Sequence, residues 1–219
     1  IHSSLNGNMD TVGCGVVKLS NVSVTKRSKQ LLYDINDDIS YAVSLSNNSN
    51  KVMENEILLD IMPLNGKNSS LYNGSYSIKE LTVACDTPFE VYYTLDVNVH
   101  GTKAIDYKYD EIIDGISGGV TWKMASVSGN KVSFGEDSDK VIAWTLIANI
   151  PAASMVTVEN VIDTEGNKPE DIYYNTASVN KSEVAAPVSI VGRELSGTTW
   201  IDVNEDGKRD SNEKLLPGV

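Results

Sequence analysis

Cysteine is nearly absent: Cys14 and Cys85 are the only two in 219 residues. A small disulfide-stapled scaffold is therefore excluded. The two can pair in an oxidising compartment or persist as free thiols, and the sequence leaves both open. Histidine is as scarce, with only His2 and His100, so a His/Cys zinc site is excluded. No apolar run approaches the length of a membrane span. Basic residues are outnumbered, 18 Lys and Arg against 30 Asp and Glu, for a formal net charge of −12. That balance argues against nucleic acid and anionic membranes as partners, and it suits an extracellular protein and divalent cations. There is no Gly-rich phosphate loop and no G-x-S-x-G elbow. No signal peptide is visible and the first residue is Ile1, so a piece of a longer protein is expected.

What is present is a β pattern. Hydrophobic residues make up 41% of the chain, enough for a sizeable core. Ile39 to Ser46 alternates cleanly between apolar and small polar residues. Further strands are expected at Val16–Thr25, Ile57–Met62, Tyr76–Ala84, Phe89–Val99, Thr121–Val127, Val141–Ile150, Met155–Val161 and Ile172–Val179. Turn signals such as Gly118-Gly119, Gly129-Asn130 and Glu165-Gly166-Asn167 separate them. Asp110 to Gly115 is expected to form one short helix. Many short strands without a long helical period predict an all-β, antiparallel sandwich. The expected organisation is a loose N-terminal end over 1–15, a sandwich over 16–185, a connector over 186–195 and a second, truncated module over 196–219. Ala185-Ala186-Pro187, in the stretch Val184 to Val191, lies where the sandwich passes into the connector, and this stretch is compatible with a strand. Sequons at Asn21, Asn47, Asn68, Asn73 and Asn180 mark polar surface turns in a bacterial protein.

The sharpest motif is the stretch from Asp202 to Glu213. It fits the calcium loop D-x-[DN]-x-[DN]-G-x5-E at every constrained position. Asp202, Asn204 and Asp206 supply side-chain oxygens, and Gly207 sits at the sharp turn. Lys208 offers its backbone carbonyl, Asp210 reaches the ion directly or through water, and Glu213 closes the site with both carboxylate oxygens. The bland alternative is a solvated acidic turn. The flanks, Thr198-Thr199-Trp200-Ile201 before and Pro217-Gly218 after, read as strand and turn rather than as EF-hand helices. Residues 196–219 resemble the opening of a B-type repeat of the SdrD and Cna kind, found in the stalks of Gram-positive surface adhesins. The resemblance implies calcium as the bound ion and further modules of the same chain as neighbours.

The larger part of the chain carries a second resemblance. Asp38-Ile39-Ser40-Tyr41-Ala42-Val43-Ser44-Leu45-Ser46-Asn47, then Leu59-Asp60-Ile61-Met62-Pro63, then Asn175-Thr176-Ala177-Ser178-Val179 follow the motif order of a repeat domain of bacterial surface proteins. Asn73-Gly74-Ser75-Tyr76 and Val91-Tyr92-Tyr93-Thr94 resemble a longer-loop variant of it. This implies an immunoglobulin-like or prealbumin-like sandwich in a cell-wall stalk or adhesin. Some relatives form an internal amide (isopeptide) bond between a first-strand Lys and a closing-strand Asn, assisted by a buried acid. Burial pushes a Lys toward its neutral amine and an acid toward its protonated form. Lys26 shares a face with Val22 and Val24 if that strand continues, so the candidates are Lys26 as nucleophile, Asn175 as electrophile and Asp60 as proton shuttle. Lys18 is the alternative nucleophile. Against this, Arg27-Ser28-Lys29-Gln30 follows Lys26 and fits a solvated strand end, and buried Lys is rare unless paired.

Two acidic clusters, one at Asp106, Asp110, Glu111 and Asp114 and one at Glu136, Asp137 and Asp139, fit a solvated surface better than a glycosidase pair. Trp122, Trp144, Tyr92 and Tyr93 fit either a sugar-stacking platform or a core. The resulting expectation is a non-catalytic structural or adhesive segment of an extracellular bacterial surface protein. The alternatives are a host-glycan or matrix-protein binding domain, and an accessory region of an extracellular carbohydrate-active enzyme.

Overall fold

Burial on one face or on both sorts the strands. In Ile39–Asn47 every second residue is buried and those between are half-buried, as the alternating sequence requires of a strand with one face toward the core. In Ala143–Ile150 nearly every residue is buried, which matches a mostly apolar run interrupted only by Thr145 and Asn149. These features come from a computed structural model that describes residues 21–192 and 199–216. Cys14 and Lys18 lie outside the described residues, as do 193–198 and 217–219.

In chain order the strands are β1 (Val22–Ser28), β2 (Leu32–Asp34), β3 (Ile39–Asn47), β4 (Met53–Ile61), β5 (Ser75–Ala84), β6 (Phe89–Thr94), β7 (Ile116–Ser117), β8 (Val120–Thr121), β9 (Lys123–Met124), β10 (Ser126–Ser128), β11 (Lys131–Ser133), β12 (Ala143–Ile150), β13 (Met155–Glu165), β14 (Ile172–Val179) and β15 (Ser182–Val191). They form two facing sheets and a hairpin. One sheet runs β1-β3-β13-β5-β11-β10, the other β2-β15-β14-β4-β12-β6-β9, and β7 pairs with β8. Neighbours are antiparallel except β2 with β15. The chain is thus an all-β antiparallel sandwich. Among the described residues the one α-helix, α1 (Tyr109–Ile113), falls where a short helix was expected.

The main core lies between the sheets and contains Tyr41, Leu45, Leu58, Leu81, Trp144, Val158 and Tyr173. A second core covers the outer face of the seven-stranded sheet. There Val99, Tyr107, Ile112, Val120 and Trp122, from the long β6–β12 insertion, pack on Leu59, Ile61, Ala143 and Ile147. This insertion is why β4 and β12 are buried on both sides.

Three expectations are corrected. The strand expected over Thr121–Val127 is broken into β8, β9 and the start of β10. The strand expected to run to Val99 stops at Thr94, where Asp96 caps a 3-10 turn over Val97–Val99. The stretch expected as a connector belongs to the sandwich as far as Val191, because β15 pairs with both β14 and β2.

Candidate functional site

Lys26, Asp60 and Asn175 enter the main core from three strands. Lys26 follows Val22 and Val24 on the inward face of β1. Its side chain is 0% exposed, although the residue as a whole is half-exposed because its backbone lies on a sheet edge. Asp60 sits between Leu58 and Met62 on the inward face of β4, and its side chain is equally enclosed. Asn175 sits between Tyr173 and Ala177 on the inward face of β14 and is 0% exposed. Asp60 pairs with Ala177 in the β4–β14 ladder, so Asn175 is its diagonal neighbour on the same face.

Lys26 Nζ donates to Asp60 Oδ2. The ammonium also lies 5.3 Å from the centre of the Tyr41 ring, within cation–π range. Burial lowers the Lys26 pKa, opposed by the attraction and hydrogen bond of Asp60. Burial raises the Asp60 pKa, opposed by Lys26 and by a contact with the Asn175 amide. Both shifts favour proton transfer within the pair, to a neutral amine and a neutral acid. The Asn175 –NH2 instead meets the Met62 sulfur, and Asp60 Oδ1 and Asn175 Oδ1 have no partner among the described residues. The Tyr41 hydroxyl, Trp144 Nε1 and Asn160 Oδ1 are likewise buried and unpartnered. So many unsatisfied polar atoms in one core are costly, at about 1–3 kcal/mol each.

The sequence singled out three of these residues and missed the supporting ones. Asn160 is the inward-facing residue between Val158 and Ile162 in β13, and it is almost wholly buried. A lone Asn in the apolar phase of an alternating strand was the available signal. Met62 receives the Asn160 amide at 3.3 Å and the Asn175 amide at 3.8 Å on its sulfur.

The C-terminal loop is closed by its own backbone. Asp202 accepts from Asp206 N at 3.2 Å and Gly207 N at 2.8 Å. Glu213, buried, accepts from Val203 N and Asp210 N, both at 2.9 Å. Asp206 accepts from Lys208 N, and the Asn204 amide donates to Asp206 and Asp210. Gly207 adopts a positive φ of 74° at the turn. Trp200 bridges Leu215 across the loop. The donors are hard oxygens, the chemistry calcium prefers. The carboxylates of Asp202, Asp206 and Glu213, however, are bonded to backbone N–H groups and that of Asp210 to the Asn204 amide, and no three His, Cys, Asp or Glu side chains cluster to hold a metal among the described residues.

Other candidates disperse. Trp122, Trp144, Tyr92 and Tyr93 are buried, so they form core rather than a sugar-stacking face. Glu111 pairs with Lys108 and Ser117, while Asp137 pairs with Lys123 and the Tyr93 hydroxyl. These are separate surface contacts, not a pair of acids across a cleft. Among the described residues no helix is long and apolar enough to cross a membrane.

No protein-family profile and no curated protein matches the chain. Among solved structures it is similar to the major pilin subunit of Bacillus cereus, at 11% identity and a TM-score of 0.34, over 78% of this chain and 40% of that one. It is similar to the pilus backbone protein of Streptococcus pneumoniae at 10% identity and 0.29, over 74% and 31%. A family 123 glycoside hydrolase from Clostridium perfringens scores 0.35 at 8% identity, over 80% and 28%. The chain thus spans well under half of each of these proteins, and at such scores the likenesses carry no weight for function.

Proposed function

We propose that this chain is a non-catalytic, force-bearing segment of a bacterial cell-surface protein, stiffened by an amide bond between Lys26 and Asn175. The observation that supports it is the meeting of Lys26, Asp60 and Asn175, from three strands, with their side chains buried in one core. A buried ion pair is weak evidence for stability, because desolvation offsets the attraction. It is well suited to chemistry. Asp60 takes a proton from Lys26, and the neutral amine attacks the Asn175 side-chain carbon. Asp60 returns a proton to the departing nitrogen, which leaves as ammonia, and takes one back as the new amide forms. The net change is amine plus primary amide to secondary amide plus ammonia, with no oxidant or cofactor. The test is the intact mass of the denatured, fully reduced protein. A mass one ammonia below the sequence value is expected, absent from Lys26→Ala and Asn175→Ala. An unmodified mass overturns the reading.

The loop from Asp202 to Glu213 supports a second element of this proposal: calcium stiffens the junction with the following module. Asp202, Asn204, Asp206, Asp210 and Glu213 would hold the ion with side-chain oxygens, and Lys208 with its carbonyl. A ligand that binds only the folded form stabilises it by mass action. Calcium is expected to raise the melting temperature of a chain carrying the complete following module, and Asp202→Ala to abolish the rise. No change with calcium removes this element and leaves the cross-link untouched.

A further inference from the structure

Met62 places its sulfur against the nitrogen that must leave. It lies one residue beyond the last pair of the β4–β14 ladder, Ile61 with Thr176, which places it opposite Asn175. It is buried, and its sulfur is 3.8 Å from Asn175 Nδ2 and 3.3 Å from Asn160 Nδ2. Asn160 belongs to the facing sheet, where it pairs with Tyr41, the ring beside Lys26. One thioether therefore joins the two sheets across the reacting groups.

The choice of acceptor matters chemically. Donation from an amide N–H to a carboxylate or carbonyl strengthens the amide resonance and makes its carbon a poorer electrophile. A thioether is a weak acceptor. It can aim the –NH2 group without deactivating the carbonyl. Once Asp60 has taken the Lys26 proton it is a neutral acid beside the same amide, and it can deliver that proton to the nitrogen that leaves as ammonia.

Resting on the cross-link reading, we infer that Met62 orients the Asn175 amide for ammonia loss, and that Asn160 is a positioning residue acting through the Met62 sulfur. Asn160 does not itself react. It fixes the sulfur, and its contact is lost without effect once the sulfur is gone.

The test follows bond formation in the full chain made by cell-free synthesis, acid-quenched at intervals, denatured and weighed. Met62→Leu keeps the volume, a change that cores tolerate well. It is expected to slow ammonia loss about fivefold, the effect of one weak oriented contact, with the pH profile of the rate unmoved. Selenomethionine in place of Met62 keeps the wild-type rate. Asn160→Leu slows the reaction less, and the double variant matches Met62→Leu alone. A wild-type rate in Met62→Leu overturns the inference. So does slowing with a shifted pH profile, the mark of water entering around Lys26 and Asp60, or additive effects in the double variant. If the wild-type chain itself never loses ammonia, the cross-link reading fails and this inference with it.

Discussion

At the scale of the residue, the protonation of Lys26 and Asp60 reports whether the bond exists. In Asn175→Ala the bond cannot form, and both groups remain buried and titratable. The folded Lys26 pKa lies below the ordinary 10.5. Between that lowered value and 10.5 the unfolded chain binds more protons than the folded one, so stability rises with pH across this window. The folded Asp60 pKa lies above the ordinary 3.8. Between 3.8 and the raised value the folded chain binds more protons, so stability falls as pH rises there. Urea midpoints of Asn175→Ala should therefore climb on the alkaline side, and Lys26→Met in the same background should flatten the climb. In the cross-linked protein Lys26 is an amide and has no such titration. An alkaline climb of equal size in the wild type would contradict the bond.

At the scale of the element, β3 is the clearest case of sequence dictating structure. Its alternation from Ile39 to Asn47 sets which face meets the core. The strand ends on Asn47, expected on a polar surface turn but buried in the structure. Its amide donates to the carbonyls of Lys51, Ile150 and Pro151, and its oxygen accepts from the Ser49 backbone and hydroxyl. It ties the β3–β4 turn to the β12–β13 turn. Asn47→Ala strands these buried groups and is expected to cost about 3 kcal/mol, read from denaturant unfolding. A loss under ~0.5 kcal/mol would mean that water replaces the side chain. Short elements were harder to read. β2 is three residues long, and Leu31 just before it and Leu32 at its start are both exposed. It exists because β15 offers it an edge, a partner about 150 residues away that no local pattern announces.

At the scale of the whole molecule, the bond between Lys26 and Asn175 would close a loop holding nearly all of the sandwich. By the chain-entropy reasoning used for disulfides, a loop of about 150 residues is worth about 5 kcal/mol. Lys26→Ala is then expected to lower the melting temperature by roughly 10–20 °C. Pulling on the two ends gives a sharper reading. Force enters through β1 and leaves through β15, so the bond shields every residue from β2 to Tyr174. Single-molecule unfolding of the wild type should lack an extension of about 500 Å that appears in Lys26→Ala. Equal extension in both would show that no covalent bond spans the fold.

The sequence by itself determined the fold class, because period-two burial and turn residues act locally. It also placed Lys26 on the face of Val22 and Val24, and it spaced the oxygens of the Asp202–Glu213 loop. Tertiary structure alone decided what those residues meet. Whether Lys26 is a solvated strand end or a buried amine depends on the sheet packed over β1, and whether Trp122 is platform or core depends on the β6–β12 insertion. Met62 and Asn160 became chemically interesting only when two sheets brought them to one sulfur contact. Burial and pairing across long loops set these environments, and a linear pattern carries the faces of strands but not their partners.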